Sequence, residues 1–174
     1  MKIFAVVWLL VLGSVWPAKA AEVKRFELNA GDTLTIAVPQ TLRVHFAPEG
    51  GGQPAHLILS DTNGVCELRM VLGRSAVKVT DDQLKAQLLE AGKKLLPAVV
   101  EKEIRVRELR GDGCTCFYFE LTDSHANPPR YILQGLGRIS GYTCEFVMLT
   151  KQKSGDVKDE IMSSLRTLDI RAKK

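Results

Sequence analysis

The stretch TLTIAVPQTLRVHF, residues 33–46, alternates apolar and polar side chains on both sides of a proline. Because successive side chains of a strand point to opposite faces, this period of two predicts two strands, each with one buried face. Pro39 ends the first strand, since proline has no amide hydrogen to donate to a neighbouring strand. The apolar positions are Leu34, Ile36, Val38, Leu42, Val44 and Phe46. A β-sheet is therefore the basis of the fold.

The same alternation predicts the rest of the sheet. The dipeptide Asn63-Gly64 is a strong signal for a hairpin turn between two strands. A Gly-rich bend separates the last two predicted strands. The further strands are predicted over Ala55–Leu72 (two strands), Glu103–Arg110, Cys114–Leu121, Tyr131–Leu136 and Tyr142–Thr150.

Two helices interrupt and follow these strands. Thr80 and Gln83 have the spacing of a capping box, in which each side chain binds a free backbone amide at the helix start. Pro97 ends or kinks this first helix, and Ser154 or Asp156 can cap the second. The apolar residues at helical spacing are Leu84, Leu88, Ala91 and Leu95, and then Val157, Ile161, Leu165 and Leu168.

Length, composition and element order together predict one α+β domain over residues 21–174, a largely antiparallel sheet covered by helices. The chain has 174 residues, 45% of them apolar, with 24 Lys+Arg against 20 Asp+Glu. This composition is too apolar and too evenly charged for a disordered chain. A net charge of +4 without a concentrated basic stripe gives no support for nucleic-acid binding. We therefore expect no nucleic-acid partner.

The first twenty residues have the pattern of a secretory signal sequence. Lys2 gives a positive start, Ile3–Leu12 is an unbroken apolar run, and Ala18 and Ala20 supply small residues before a cleavage point. The apolar run is about half the length of the roughly 20 residues that a membrane-spanning helix needs. We expect cleavage between Ala20 and Ala21, a secreted or periplasmic protein, and no membrane span in the mature chain.

The order of elements resembles the Mog1/PsbP-like α/β/α fold, which also occurs in small bacterial exported proteins of unassigned function. The segments that carry the resemblance are Leu34–Pro39, Asp82–Leu96, Phe117–Asp123 and Asp156–Leu168. The sequence departs from that pattern after Pro39, where the fold often has Gly-Trp and this chain has Thr41 and Leu42. The resemblance covers residues 24–170. It implies a compact adaptor-like or ligand-holding domain, and it transfers no site residues.

An even number of cysteines in an exported chain favours disulfides, and four cysteines allow three pairings. Cys66 and Cys144 share strand faces with apolar residues, so we expect them to point into a core, where they pair or pack as small hydrophobic side chains. Cys114 and Cys116 lie on the face opposite Phe117 and could bond to each other only through a local turn. Thiol-redox chemistry and metal binding at this C-x-C segment are the alternatives.

Four basic residues form a candidate site for an anionic ligand or an acidic partner. Lys102, Arg105, Arg107 and Arg110 lie close together in the sequence, and Arg105 and Arg107 share one strand face. Glutamates are interleaved with them, so a self-neutralised surface is the simpler interpretation.

No catalytic motif stands out. Asp123, Ser124 and His125 suggest a hydrolytic triad, but neighbours in one loop rarely point at one another as a proton relay requires. Neither Gly50–Gly52 nor Gly135–Gly137 continues into a phosphate-binding loop. We therefore expect a non-enzymatic exported domain without a cofactor that binds a protein partner or a small ligand. The alternative is a thiol-redox or metal-handling protein centred on Cys114 and Cys116.

Overall fold

A computed structural model describes residues 21–28, 31–75 and 78–172, so the predicted signal sequence lies outside the described residues. In this part of the chain, ten strands, two α-helices and one short 3-10 helix succeed one another. They are β1 (Ala21–Glu27), β2 (Thr33–Pro39), β3 (Leu42–Ala47), β4 (Ala55–Asp61), β5 (Cys66–Arg74), α1 (Asp81–Leu95), the 3-10 helix Leu96–Ala98, β6 (Arg107–Arg110), β7 (Cys114–Asp123), β8 (Arg130–Ile139), β9 (Tyr142–Thr150), α2 (Asp156–Arg166) and β10 (Asp169–Arg171).

The strands form two antiparallel sheets, which confirms the α+β class. The larger sheet has seven strands in the order β3-β4-β5-β9-β8-β7-β6, and the smaller has the order β1-β2-β10. The expected cover of helices is overstated. Helix α1 packs on β7 and β8, and α2 packs against β2 and β5. On the face of the larger sheet opposite α2, the side chains of His45, Arg69 and Leu149 are exposed.

Strand β7 is buried on both faces because a different helix packs on each. One face carries Phe117, Phe119 and Leu121, which form a small apolar cluster with residues of α1. The alternate residues, including Cys114 and Cys116, belong to the larger core between the two sheets and α2. Side chains on the two faces of β7 therefore belong to different parts of the protein.

Local sequence signals explain two of the connections. The Thr80–Gln83 capping box is present in both directions at the start of α1. In the β4–β5 turn, the carboxylate of Asp61 accepts hydrogen bonds from the amides of Asn63, Val65 and Cys66 at 2.9, 2.8 and 2.8 Å. The predicted side-chain cap of α2 is wrong, because Gly155 occupies the cap position and no side chain binds there.

The alternation of apolar residues did not reveal three features of the sheets. Strand β1 has its valine, Val23, 59% exposed, while Lys24 and Phe26 are half-buried, so its apolar pattern does not mark a buried face. Strand β10 has only three residues, and β6 begins at Arg107 instead of Glu103. Backbone pairing to β2 and β7 defines these short or exposed strands.

Among the described helices, none is both long enough and apolar enough to cross a membrane.

Candidate functional site

All four cysteines lie in the described part of the chain, where each is a buried free thiol and no disulfide joins them. Cys116 pairs across the sheet with Gly137, which pairs with Cys144 on its other side. Two strand spacings of about 4.8 Å separate the Cα atoms of the two cysteines by more than the roughly 7 Å that a disulfide permits. The expected bridges are therefore corrected to packed thiols.

The thiols of Cys116 and Cys144 fill the space beside Gly137. The Sγ atoms of Cys116 and Cys144 are 4.0 Å apart, and Cys114 Sγ donates a hydrogen bond to Leu165 O at 3.2 Å. A Cβ atom at Gly137 would collide with the sulfur of Cys116. Gly137 thus lies within β8 and not in the predicted bend, and its lack of a side chain leaves room for these sulfur atoms.

The surroundings of Cys66, Cys114 and Cys116 keep these three thiols protonated. Burial raises the pKa of Cys66 to about 11. A hydrogen bond with Cys116, followed by burial, raises the pKa of Cys114. For Cys116, the interaction with Cys114 favours the thiolate, but the hydrogen bond with Cys144 and burial outweigh it and raise the pKa. Since the thiolate is the reactive and metal-binding form, these features favour packing. Among the described residues, no group of three or more His, Cys, Asp or Glu side chains is arranged to hold a metal ion.

The loop that carries His125 does not assemble a triad. Asp123 Oδ1 accepts a hydrogen bond from the backbone amide of His125 at 2.9 Å. The hydroxyl of Ser124 donates to the carbonyl oxygen of Ala98 at 2.9 Å. A triad needs the carboxylate on the imidazole and the imidazole on the hydroxyl. Here the acid and the hydroxyl hold the loop in place.

Three of the four predicted basic residues meet in one surface depression of about 530 Å³. We call this depression the lysine basin. Its lining residues are Lys102, Arg105, Arg107, Lys153, Glu101, Glu103 and Glu120. Arg110 lies outside it and pairs with Glu108.

The carboxylates of the lysine basin are all engaged. Glu103 pairs with Arg105. Glu120 Oε1 lies 3.5 Å from Arg107 Nη1 and 3.1 Å from Lys158 Nζ, an ammonium from α2. The arginines thus confirm the self-neutralised interpretation for their part of the surface.

Glu101 is held mainly by neutral groups, and the charge of Lys153 adds a weaker attraction. Its carboxylate accepts hydrogen bonds from the amide and the hydroxyl of Thr122 at 2.8 and 2.9 Å. Burial opposes ionisation of this carboxyl, but the two hydrogen bonds outweigh burial and lower the pKa of Glu101. The ionised carboxylate therefore fixes the segment before β6 to the end of β7.

Two ammonium groups of the lysine basin remain without an ion pair. Lys102 and Lys153 are exposed, and among the described residues no carboxylate lies within ion-pair distance of either. Sequence reasoning found Lys102 but missed Lys153 and Lys158. These two lysines lie about fifty residues further along the chain, and only the packing of α2 against the larger core places them beside β7.

A larger cavity of about 640 Å³ lies at the opposite end of β7, and Cys114 is the one predicted site residue among its lining residues. The β6–β7 and β8–β9 turns line it, together with Ser75, Lys78 and Val79. Its lining includes Lys78, Asp112, Thr115, Arg138, Ser140 and Tyr142. We call it the Arg138 cavity. Arg138 pairs across β8 with Thr115 and forms an ion pair with Asp81 of α1.

Comparison with known proteins leaves the function open. No family model matches the chain, and no curated protein matches it. Among solved structures, a protein from Bacteroides thetaiotaomicron VPI-5482 is similar over 81% of this chain, with 12% identity and a TM-score of 0.48. This chain covers 45% of the length of that protein.

The Ran-binding protein Mog1p of Saccharomyces cerevisiae is also similar. It matches 88% of this chain and 96% of its own length, with 9% identity and a TM-score of 0.46. Similarity at these values carries no conclusion about partner or activity.

Proposed function

We propose that the protein is an exported, non-enzymatic domain that binds an acidic segment of a protein partner at the lysine basin. The observation that carries this proposal is that Lys102 and Lys153 line one depression and that no carboxylate of the described residues lies within ion-pair distance of either, although Lys153 attracts Glu101 more weakly. The predicted signal sequence supports export, and the Mog1/PsbP-like assignment, which rests on the sequence pattern, is part of the same proposal.

The charge of the lysine basin favours an anionic ligand. Four cationic side chains and three carboxylates line it, and Lys158 adds a further cation beside Glu120. The carboxylates already bind protein groups, so the two exposed ammonium groups dominate what an approaching molecule meets. Complementary charge of this kind speeds encounter and selects the partner more than it adds affinity.

The neighbouring strand favours a protein segment over a small anion. Strand β6 is the last strand of the seven-stranded sheet, and among the described strands only β7 pairs with it. Edge strands accept an added strand through backbone hydrogen bonds, while side-chain sites beside the edge supply specificity. Arg107 belongs both to β6 and to the basin lining. An extended acidic segment could therefore contact the edge and the ammonium groups together.

A titration with a short peptide rich in glutamate tests the proposal. In the ¹⁵N-labelled protein, we expect saturable shifts of the amide signals of Lys102, Arg105 and Lys153. A neutral peptide of the same length, with glutamine in place of glutamate, should leave these signals unchanged. Shifts spread over the whole surface would contradict a defined site.

Two matched double variants separate the site from net charge. The change Lys102→Glu with Lys153→Glu should weaken binding about thirtyfold, whereas Arg25→Glu with Lys94→Glu makes the same change in net charge at exposed residues outside the basin. Equal weakening by both double variants would show that only net charge matters and would overturn the proposal.

A further inference from the structure

We propose that the Arg138 cavity binds a small molecule through an oxyanion, either a carboxylate or a phosphate group. This site is separate from the lysine basin. Arg138 pairs with Asp81 of α1, whereas Glu120 of the basin pairs with Lys158 of α2 on the other face of the sheet. The proposal therefore does not depend on the acidic partner proposed above.

The main observation is a buried donor without an acceptor. Within the described part of the chain, Nε of Arg138 is a buried side-chain nitrogen that has no hydrogen-bond partner. Buried polar groups in folded proteins nearly always have a partner, and an exception indicates an unseen ligand, ion or water. The ion pair with Asp81 uses Nη2 of the same guanidinium and leaves the Nε hydrogen free.

The position of this donor makes a cavity ligand the natural acceptor. Arg138 lines the cavity, and its side chain as a whole is 32% exposed. A guanidinium presents parallel N–H groups that match the two oxygens of a carboxylate or two oxygens of a phosphate. A bound oxyanion could accept from Nε and from a neighbouring Nη group while Asp81 keeps its own hydrogen bond.

The rest of the cavity supplies a second cation and hydroxyl groups. Lys78 is exposed at the cavity, and no described carboxylate pairs with it. Thr115 pairs directly with Arg138 across the strands, and Thr143 pairs with it on the other side. The hydroxyl of Thr115 can donate to a bound oxygen, whereas that of Thr143 already donates to the carbonyl oxygen of Gly73 at 3.4 Å. Asp112 is the one carboxylate among the lining residues, so a singly charged group suits the site better than a polyanion.

Packing holds the cavity wall in place. The amide of Asp112 donates to the carbonyl oxygen of Arg166 at 3.1 Å, at the end of α2. A Cβ atom at Gly111 would overlap that carbonyl group. On the other side, the hydroxyl of Tyr142 donates to the buried carboxylate of Asp32 at 2.9 Å. The cavity is therefore formed by packed elements that would keep their positions when a ligand enters.

An NMR titration that observes arginine Nε–H signals tests this inference directly. Acetate and inorganic phosphate are added separately to the ¹⁵N-arginine-labelled protein, with chloride matching the ionic strength. We expect the Arg138 Nε–H signal, assigned by its loss in Arg138→Lys, to shift saturably with one of the two anions. The anion that saturates first identifies the class of ligand.

Two further variants make the result decisive. Lys78→Ala removes an exposed side chain, leaves the fold intact, and should weaken anion binding about three- to fivefold. The matched control Arg43→Lys changes an exposed arginine of β3 and should leave binding unchanged. A linear shift with both anions equal to that with chloride would overturn the proposal and assign the Nε hydrogen to water. Undiminished saturable binding in Lys78→Ala would overturn the role of the second cation.

Discussion

The lysine basin and the Arg138 cavity leave positive charge unpaired in two different ways. In the basin, the ammonium groups of Lys102 and Lys153 are exposed, so water satisfies their donors at little cost. In the cavity, a buried guanidinium nitrogen lacks an acceptor, which costs about 1–3 kcal/mol until an oxygen reaches it. The basin therefore suits a large, salt-sensitive partner, and the cavity suits a small ligand that is selected by geometry.

The largest loss of stability is expected from a substitution that disrupts the wall of the Arg138 cavity and leaves the lining of the lysine basin unchanged. Gly111→Ala places a methyl group on the backbone of Arg166, where no flexible side chain can move aside. We expect the free energy of unfolding to fall by about 3 kcal/mol or more, at the upper end for overpacked sites. Urea unfolding measures the loss. Gly50→Ala, which has open space around the added atom, should be neutral, and equal stability of both variants would contradict the packing.

Charge reversal in the basin should change binding and spare stability. For Lys102→Glu with Lys153→Glu, we expect the affinity for the glutamate-rich peptide to fall about thirtyfold, since each reversed surface charge contributes about 1 kcal/mol. The free energy of unfolding should stay within about 0.5 kcal/mol of the parent protein. Isothermal calorimetry and urea unfolding give the two quantities. A large loss of stability would show that these lysines hold the fold and are not free for a partner.

The pH dependence of stability sharpens the role of Glu101. Its pKa is lower in the folded than in the unfolded chain, so its ionised form stabilises the fold above the unfolded pKa of about 4.3. That contribution disappears as the pH falls through the lower, folded value. Glu101→Gln should cost about 1–2 kcal/mol at neutral pH, and the decline of stability in acid should be shallower than in the parent. Parallel pH profiles for the two proteins would refute this assignment.

A smaller effect is expected on the far wall of the Arg138 cavity. Tyr142→Phe removes the hydroxyl that donates to Asp32 and leaves the aromatic ring in the core. The expected cost is about 1 kcal/mol, measured by urea unfolding. Arg74 Nη2 lies 3.7 Å from the same carboxylate and still stabilises its charge in the variant, which limits the loss of stability. An unchanged free energy of unfolding would mean that this hydrogen bond contributes nothing.

A reducing agent should not change the stability of the protein. Because the four cysteines are buried and unbridged, the midpoint of thermal unfolding should be the same with and without a reducing agent. The intact mass should correspond to four free thiols, and a thiol reagent should react only after denaturation. A mass lower by two hydrogens, or a midpoint that falls on reduction, would restore the disulfide interpretation.

The sequence predicted elements with long apolar periodicity better than it predicted surface sites. The alternation at Leu34 and Ile36 and the cap at Thr80 reflect local physics, and they correctly predicted β2 and the start of α1. Strand β1 depends on pairing to β2, with its exposed valine facing away from the core. Local periodicity therefore could not reveal it.

The candidate sites depend on packing between distant segments. Lys102 and Arg107 are close in sequence and were predicted together, but Lys153 joins them only through the folded arrangement of the chain. Arg138 falls in the predicted Gly-rich bend and outside the predicted strand, and only the structure places it in β8 with a buried Nε that has no partner among the described residues. The glycine at position 137 suggested a bend. The thiols that occupy the space beside it belong to other strands, so its neighbouring sequence could not reveal why a glycine is needed there.

Site-specific photocrosslinking in the native host is the most direct test of whether the lysine basin binds an acidic segment of a partner. A photoreactive residue replaces Arg105, which lines the basin, and the crosslinked peptide is identified by mass spectrometry. The proposal predicts one recurrent partner segment rich in aspartate or glutamate, and its crosslink should disappear in Lys102→Glu with Lys153→Glu but persist in Arg25→Glu with Lys94→Glu. A crosslink to a segment without acidic residues, or one that survives reversal of both basin lysines, would contradict the assignment of the lysine basin as the partner site.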